Sequence, residues 1–137
     1  MLEKEGYEIM GAAFEVYNTL GCGFLEEVYQ KSLEIELGRR SIPFQSQQDL
    51  ALYYKDVLLE KRYVTDLVAY HRVIVELKAV RELTTDHVAQ IVNYLKAGKL
   101  PVGYLINFGR HDKLEWKRII YTQEEKGTSP LIFTNSH

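Results

Sequence analysis

Three side chains in the segment VTDLVAYHRVIVELKAV, residues 64–80, stand where they could do chemistry together. Asp66, Glu76 and Lys78 interrupt a stretch filled mostly by Val, Ile, Leu, Ala and Tyr. A buried unpaired charge there would cost several kcal/mol, or shift its pKa until it is neutral. A hairpin turning at His71 pairs Ala69 with Val73, Leu67 with Val75 and Asp66 with Glu76. It sets the two carboxylates directly across from each other, with Cβ atoms about 5 Å apart. A divalent cation shared between them removes the repulsion, because hard Mg²⁺ takes one or two protein carboxylates and completes its shell with water.

Strand alternation adds Lys78 to the same place. Val73, Val75, Leu77 and Ala79 share one apolar face, while Ile74, Glu76, Lys78 and Val80 share the other. Two acids and an ammonium gathered this way suit phosphodiester hydrolysis. The metal polarises phosphate and lowers the pKa of an attacking water, and the lysine positions that water or stabilises developing charge. The same spacing also suits solvent-facing charges on a half-exposed strand, so these residues alone leave both readings open.

The elements around the hairpin can be read from periodicity. Tyr7, Met10, Phe14 and Tyr17 recur at helical spacing over residues 6–20, and Gly21-Cys22-Gly23 breaks that helix. A second helix is expected over 24–38, with Leu25, Val28, Tyr29 and Leu33 facing inward and Gly38 as its stop. From Pro43 the period becomes that of strands: Leu50–Tyr54, a turn at Lys55-Asp56, Val57–Leu59, Tyr63–Ala69 and Val73–Val80. Thr84 or Thr85 can cap a helix over 86–98 with Asp86 in its first turn. Two more strands, Val102–Phe108 and Leu114–Tyr121, follow. Residues 1–122 read as a single mixed α/β domain and 123–137 as a C-terminal tail.

The chain has 137 residues, 46% hydrophobic and 26% charged, the size and composition of one globular domain. No apolar run reaches the roughly 18–20 residues of a membrane span, and the mixed-charge MLEKEGYE start is not that of a signal peptide. Cys22 is the single cysteine, which fits a reducing, cytoplasmic setting. A net charge of −2 and a pI near 6.1 argue against coating nucleic acid through an overall field. They leave room for an enzyme that meets phosphate through a metal and a local basic rim. Lys61, Arg62, Arg72 and Arg81 are either such a rim or plain solubilising charges. His71, His87, His111 and His137 have no zinc-ligand spacing among themselves or with Cys22. P-loop, dinucleotide and nucleophile-elbow fingerprints are absent from the sequence.

Asp66…Glu76-x-Lys78 resembles the D…(D/E)xK signature of the PD-(D/E)XK nuclease superfamily, and the element order resembles its αβββαβ core. Gly23-Phe24-Leu25-Glu26-Glu27-Val28-Tyr29 is similar to the pattern that names the GxxExxY family, as are VIVELKAV, AQIVNYLKA and LINFG…LEWKRII. The resemblance spans roughly residues 5–120 and departs at Thr65, where the superfamily name has Pro.

It implies a restriction-endonuclease-like α/β fold, a mixed central sheet flanked by helices, with an extra N-terminal helix. It implies Glu26, Asp66 and Glu76 as ligands of Mg²⁺ or Mn²⁺, with Asp66, Glu76 and Lys78 as the catalytic set. Gln90 and Tyr94, four apart on one helical face, resemble a Q-x-x-x-Y element that supports the site or touches nucleic acid, with Tyr29 also in a supporting place. The expected activity is a metal-dependent nuclease, DNA ahead of RNA, with a homodimer or larger assembly within the expectation for this size. The competing expectation is a non-catalytic protein-interaction module that keeps a nuclease-like fold.

Overall fold

The structure is a computed structural model that describes residues 1–122 and the backbone of 131–136. Among the described residues the order is α1 (Glu3–Leu20), α2 (Glu26–Arg39), β1 (Phe44–Tyr54), β2 (Val57–Ala69), β3 (Val73–Lys78), α3 (Thr85–Gly98), β4 (Val102–Asn107), β5 (Glu115–Ile120) and β6 (Leu131–Ser136). The strands form one mixed sheet in the order β1-β2-β3-β4-β5-β6. β3 and β4 are parallel and the other neighbours antiparallel. The parallel pair requires a crossover, which α3 supplies. Within the expected tail, 131–136 is the strand paired with β5, while 123–130 and 137 lie outside the described residues.

Both sheet faces are covered, so β3 over Val73–Val75 and β4 over Val102–Ile106 carry no charged residue on either face. On one face Leu67, Val73, Val75, Leu77 and Ile106 pack with Ile9, Ala13, Tyr29 and Leu33 of α1 and α2. On the other, Val68, Ile74 and Leu105 pack with Ile91, Tyr94 and Leu95 of α3. α3 is capped by Thr84, whose hydroxyl accepts from the His87 amide while His87 Nδ1 accepts from the Thr84 amide.

Two helix faces differ from the periodicity reading. The buried side of α1 is Ile9, Met10, Ala12, Ala13 and Val16, whereas Tyr7 is 81% exposed. Small residues let the helix approach the sheet, and the bulkier aromatic row is pushed to its rim. Leu25 is 72% exposed because it caps α2 from outside instead of lying within it. α2 also runs through Gly38 to Arg39. The β1–β2 hairpin is longer than expected, β1 beginning at Phe44 and β2 continuing unbroken from Val57.

Candidate active site

The β2–β3 ladder has the expected register, Leu67↔Val75, Val68↔Ile74 and Ala69↔Val73, and stops there. The turn beyond Ala69 has positive φ at both Tyr70 (56°) and His71 (59°), the sign pattern of a type I′ hairpin turn. One step past the ladder's other end, Asp66 and Glu76 take over with their side chains. The Asp66 amide donates to Glu76 Oε1 at 3.0 Å, and the Leu77 amide donates to Asp66 Oδ2 at 2.7 Å. The sheet opens on the β1 side as well. Gln47, level with Asp66, has φ 52° and drops out between Ser46↔Leu67 and Gln48↔Thr65. The Asp66 carbonyl accepts instead from Gln30 Nε2 of α2 at 3.0 Å.

Burial decides the charge state. Glu76 is 5% exposed, and its carboxyl is pushed up to about 9, first by loss of water and then by the negative charge of Asp66. Lys78, half-buried two residues on, opposes that shift and donates to Gln90 Oε1 at 3.3 Å. Glu26, the first residue of α2, remains open to solvent. Its carboxyl is nonetheless raised by partial burial and by Asp66, with Lys78 acting the other way, so it faces the same centre. The amides at the start of α2 favour an anion at that position. The Tyr94 phenol is raised by burial and then by Glu76 and Asp66, so it stands within electrostatic reach of the acids. The structure thus gathers Asp66, Glu76, Lys78, Gln90 and Tyr94, with Glu26 at the margin.

The donor set fits a hard divalent cation. All its ligating atoms are oxygens, and the backbone amides take up one oxygen of each carboxylate, Asp66 Oδ2 and Glu76 Oε1. Among the described residues no three Asp, Glu, His or Cys side chains are close enough to hold an ion by themselves. Ligation by two carboxylates with water completing the shell is the Mg²⁺ habit.

Tyr29 is fully buried, stacked on Phe108 at 4.7 Å. Its hydroxyl donates to the Gly21 carbonyl at 2.5 Å and accepts from the Phe24 amide at 3.3 Å. It therefore holds the loop that delivers Glu26. Gly23 in that loop has φ 109°, a conformation that favours glycine.

Sequence reasoning missed two further groups that position the site. Gln30 is one turn beyond Glu26 on the same helical face, a spacing that could have drawn notice. Asn107 is fully buried, level with Lys78 across the parallel pair. Its Oδ1 accepts from the Val80 and Gly109 amides, and its Nδ2 donates to the Val80 carbonyl and to Glu115 Oε1. Glu115 Oε1 also accepts from the Leu83 amide at 2.9 Å, so the network pins the segment leaving Lys78. Gly109 passes so close to this segment that a Cβ would lie 2.2 Å from the Val80 carbonyl oxygen. The polar residues in LINFG and LEW were the available signal.

The basic residues divide. Arg72 lies in the β2–β3 turn, at the opposite end of β3 from Lys78, and Arg62 is 3.9 Å from Asp49. Lys61 and Arg81 are exposed. A cavity of about 830 Å³ lies on the other face of the sheet between α1 and β4–β5, lined by Tyr7, Phe14, Tyr104 and Trp116, and contains none of the acids above. Among the described residues no helix is long and apolar enough to cross a membrane.

Residues 3–119 match the family model of the PD-(D/E)XK nuclease superfamily. The crystal structure of SSO0001 is similar in fold, with a TM-score of 0.59 and 15% sequence identity over 90% of this chain. The chain spans 61% of that protein's length. No curated protein matches it.

Proposed function

The chain belongs to the PD-(D/E)XK nuclease superfamily, and from that premise we propose that it is a metal-dependent nuclease of the GxxExxY type, with DNA as the first substrate to test. The observation that carries this reading is the pair Asp66 and Glu76. They open the ladder between β2 and β3, and burial and mutual repulsion keep a proton on Glu76 that a divalent cation would replace. Structural ion pairs rarely tolerate two acids so placed, whereas metal sites require them.

Asp66 and Glu76 would hold Mg²⁺ or Mn²⁺, and Glu26, at the start of α2 and within electrostatic reach of Asp66, is the third ligand that the family resemblance suggests. The bound cation would supply Lewis-acid polarisation of a phosphate oxygen and a lowered pKa for its water. Lys78 presents its ammonium at the rim of the acids, held by Gln90, where it orients the attacking water and offsets charge developing on the phosphate. Tyr94 walls the site, and its phenol stays protonated within electrostatic reach of the acids and can donate to a phosphate oxygen. Filling of every signature position by a competent residue supports the enzyme over a non-catalytic interaction module.

Calorimetric titration with Mg²⁺ and Mn²⁺, using Asp66→Ala and Glu76→Ala as controls, tests the reading. Cleavage of linear, nicked and single-stranded DNA should follow metal binding. A wild-type chain that takes up neither ion would overturn it.

A further inference from the structure

A second groove, about 370 Å³, lies between α3 and the outer part of the β1–β2 hairpin. Its lining includes Tyr53, Tyr63, Asn93, Lys96 and Lys99, and among the described residues no carboxylate contributes to it. The volume falls within the roughly 300–1,000 Å³ typical of small-ligand pockets. The groove adjoins the acids through one aromatic pair. Tyr63 is tilted against Tyr94 with ring centroids 4.7 Å apart, and Tyr94 packs in the same core cluster as Ile74, two residues before Glu76 on the same face of β3.

Two details set this groove apart from ordinary surface. Lys99 holds the left-handed position that ends α3, with φ 55°, where glycine is the unstrained choice. A lysine there keeps a cation at the groove at a conformational cost. Tyr53 is 63% exposed on a hairpin that runs beyond its packed portion, so its ring is available to a partner. Two ammonium groups, two tyrosine rings and a carboxamide match phosphate, base face and base edge respectively.

We infer that this groove seats an unpaired nucleotide of the substrate flanking the scissile phosphate, so that the preferred substrate is a nucleic acid with a single-stranded segment at the site. Lys96 and Lys99 take the phosphates, Tyr53 and Tyr63 the base, and Asn93 its edge. A duplex keeps its bases stacked inside and offers no face to the tyrosines. The inference rests on the nuclease reading for the identity of the substrate.

Fluorescence anisotropy with labelled single-stranded oligonucleotides, Mg²⁺ being replaced by Ca²⁺, tests it on the intact chain. Tyr53→Ala should weaken binding about tenfold, within the range for loss of one stacked base. Lys96→Ala and Lys99→Gly should each reduce the slope of log affinity against log salt by about 0.7. Lys99→Gly should do so while leaving thermal stability unchanged or higher, a combination that a structural role for Lys99 would not produce. Lys4→Ala, on α1, is the control and should change nothing. Wild-type affinity in all three groove variants, or equal affinity for a blunt duplex of the same length, would overturn the groove assignment. Mg²⁺-dependent cleavage lost in Asp66→Asn would still uphold the nuclease reading in that case. A wild-type chain that binds no oligonucleotide would overturn both.

Discussion

Asp66 and Glu76 exchange side chains for ladder bonds. The Asp66 amide donates to the Glu76 carboxylate, and the amide after Glu76 donates to the Asp66 carboxylate. Each acid thus fills a place that a backbone carbonyl occupies elsewhere in the sheet, and the strands part where the acids need room. The arrangement satisfies the amides but leaves two carboxyl groups facing each other in a dry setting. Its stability therefore depends on proton or cation.

The first prediction is a pH dependence of the metal-free chain. Glu76 has its folded pKa raised from 4.5 to about 9, so the folded state holds a proton that the unfolded state releases. Its contribution to stability is fully present below the unfolded value and is lost as pH rises toward the folded one. Urea denaturation in EDTA should show stability falling between pH 5 and pH 9, by no more than about 1.4 kcal/mol per unit. Glu76→Gln should flatten the curve. An identical slope in that variant would mean that another group carries the dependence.

Removing the charge of Asp66 should relieve the same conflict. Asp66→Asn keeps an oxygen for the Leu77 amide and lets Glu76 ionise against a neutral neighbour. In EDTA near pH 8 the melting temperature should rise by about 2–4 °C, the equivalent of roughly 1 kcal/mol, while the heat of Mg²⁺ binding disappears. A lower melting temperature would show that the carboxylates do not oppose each other.

Much of this centre was legible because it is local. The hairpin register followed from alternation about His71, and the face shared by Glu76 and Lys78 from a period of two. That Thr84 or Thr85 would cap α3 was readable for the same reason, and Thr84 is the one that does. Gln30 and Asn107 gave only a faint signal, a one-turn spacing from Glu26 and a polar residue in LINFG, and their targets were not readable, because each acts on a backbone group far along the chain, at Asp66 and at Val80. Sequence spacing carries no sign of such pairing. Tyr7 misled because helical periodicity identifies a stripe but not which part of it meets the sheet. Periodicity also could not say that Tyr29 is a core post for the Glu26 loop.

Gln30 is the tie between α2 and the site strand. Gln30→Leu leaves the Asp66 carbonyl without its side-chain donor and should cost about 1–3 kcal/mol. Because the same bond helps fix Asp66, Mg²⁺ affinity should fall roughly 10- to 100-fold, as for other residues that orient ligands. Parallel denaturation and calorimetry separate the two effects. Full metal affinity in the variant would reduce Gln30 to a packing residue.

Lys78 and Gln90 should separate chemistry from metal binding. Lys78→Met keeps the aliphatic stem and removes the ammonium that Gln90 holds at 3.3 Å. Cleavage should drop about 10²- to 10³-fold, the range for a preorganised donor at a developing charge, with the Mg²⁺ heat retained. Gln90→Ala should give a smaller loss, since it leaves the ammonium in place but less fixed. Equal losses from the two substitutions would mean that Gln90 has a direct role of its own.

The last prediction concerns Asn107, whose carboxamide joins the segment after Lys78 to the end of β4. Alanine there strips a partner from the Val80 amide, the Val80 carbonyl, the Gly109 amide and Glu115 at once. With about 1–3 kcal/mol for each polar group left buried and unsatisfied, and partial relief by water, Asn107→Ala should lose at least about 3 kcal/mol. Asn107→Asp preserves the acceptor for the amides but lacks the donor to the Val80 carbonyl and sets a second carboxylate against Glu115, so it too should lose stability. Glu115→Gln keeps an oxygen for the Leu83 amide and for Asn107, and should cost under about 1 kcal/mol. Guanidinium denaturation of the three variants at pH 5 and pH 8 distinguishes them. An Asn107→Ala chain as stable as Glu115→Gln would show that the loop after Lys78 is held by packing, and that the carboxamide is not what fixes the lysine's strand end.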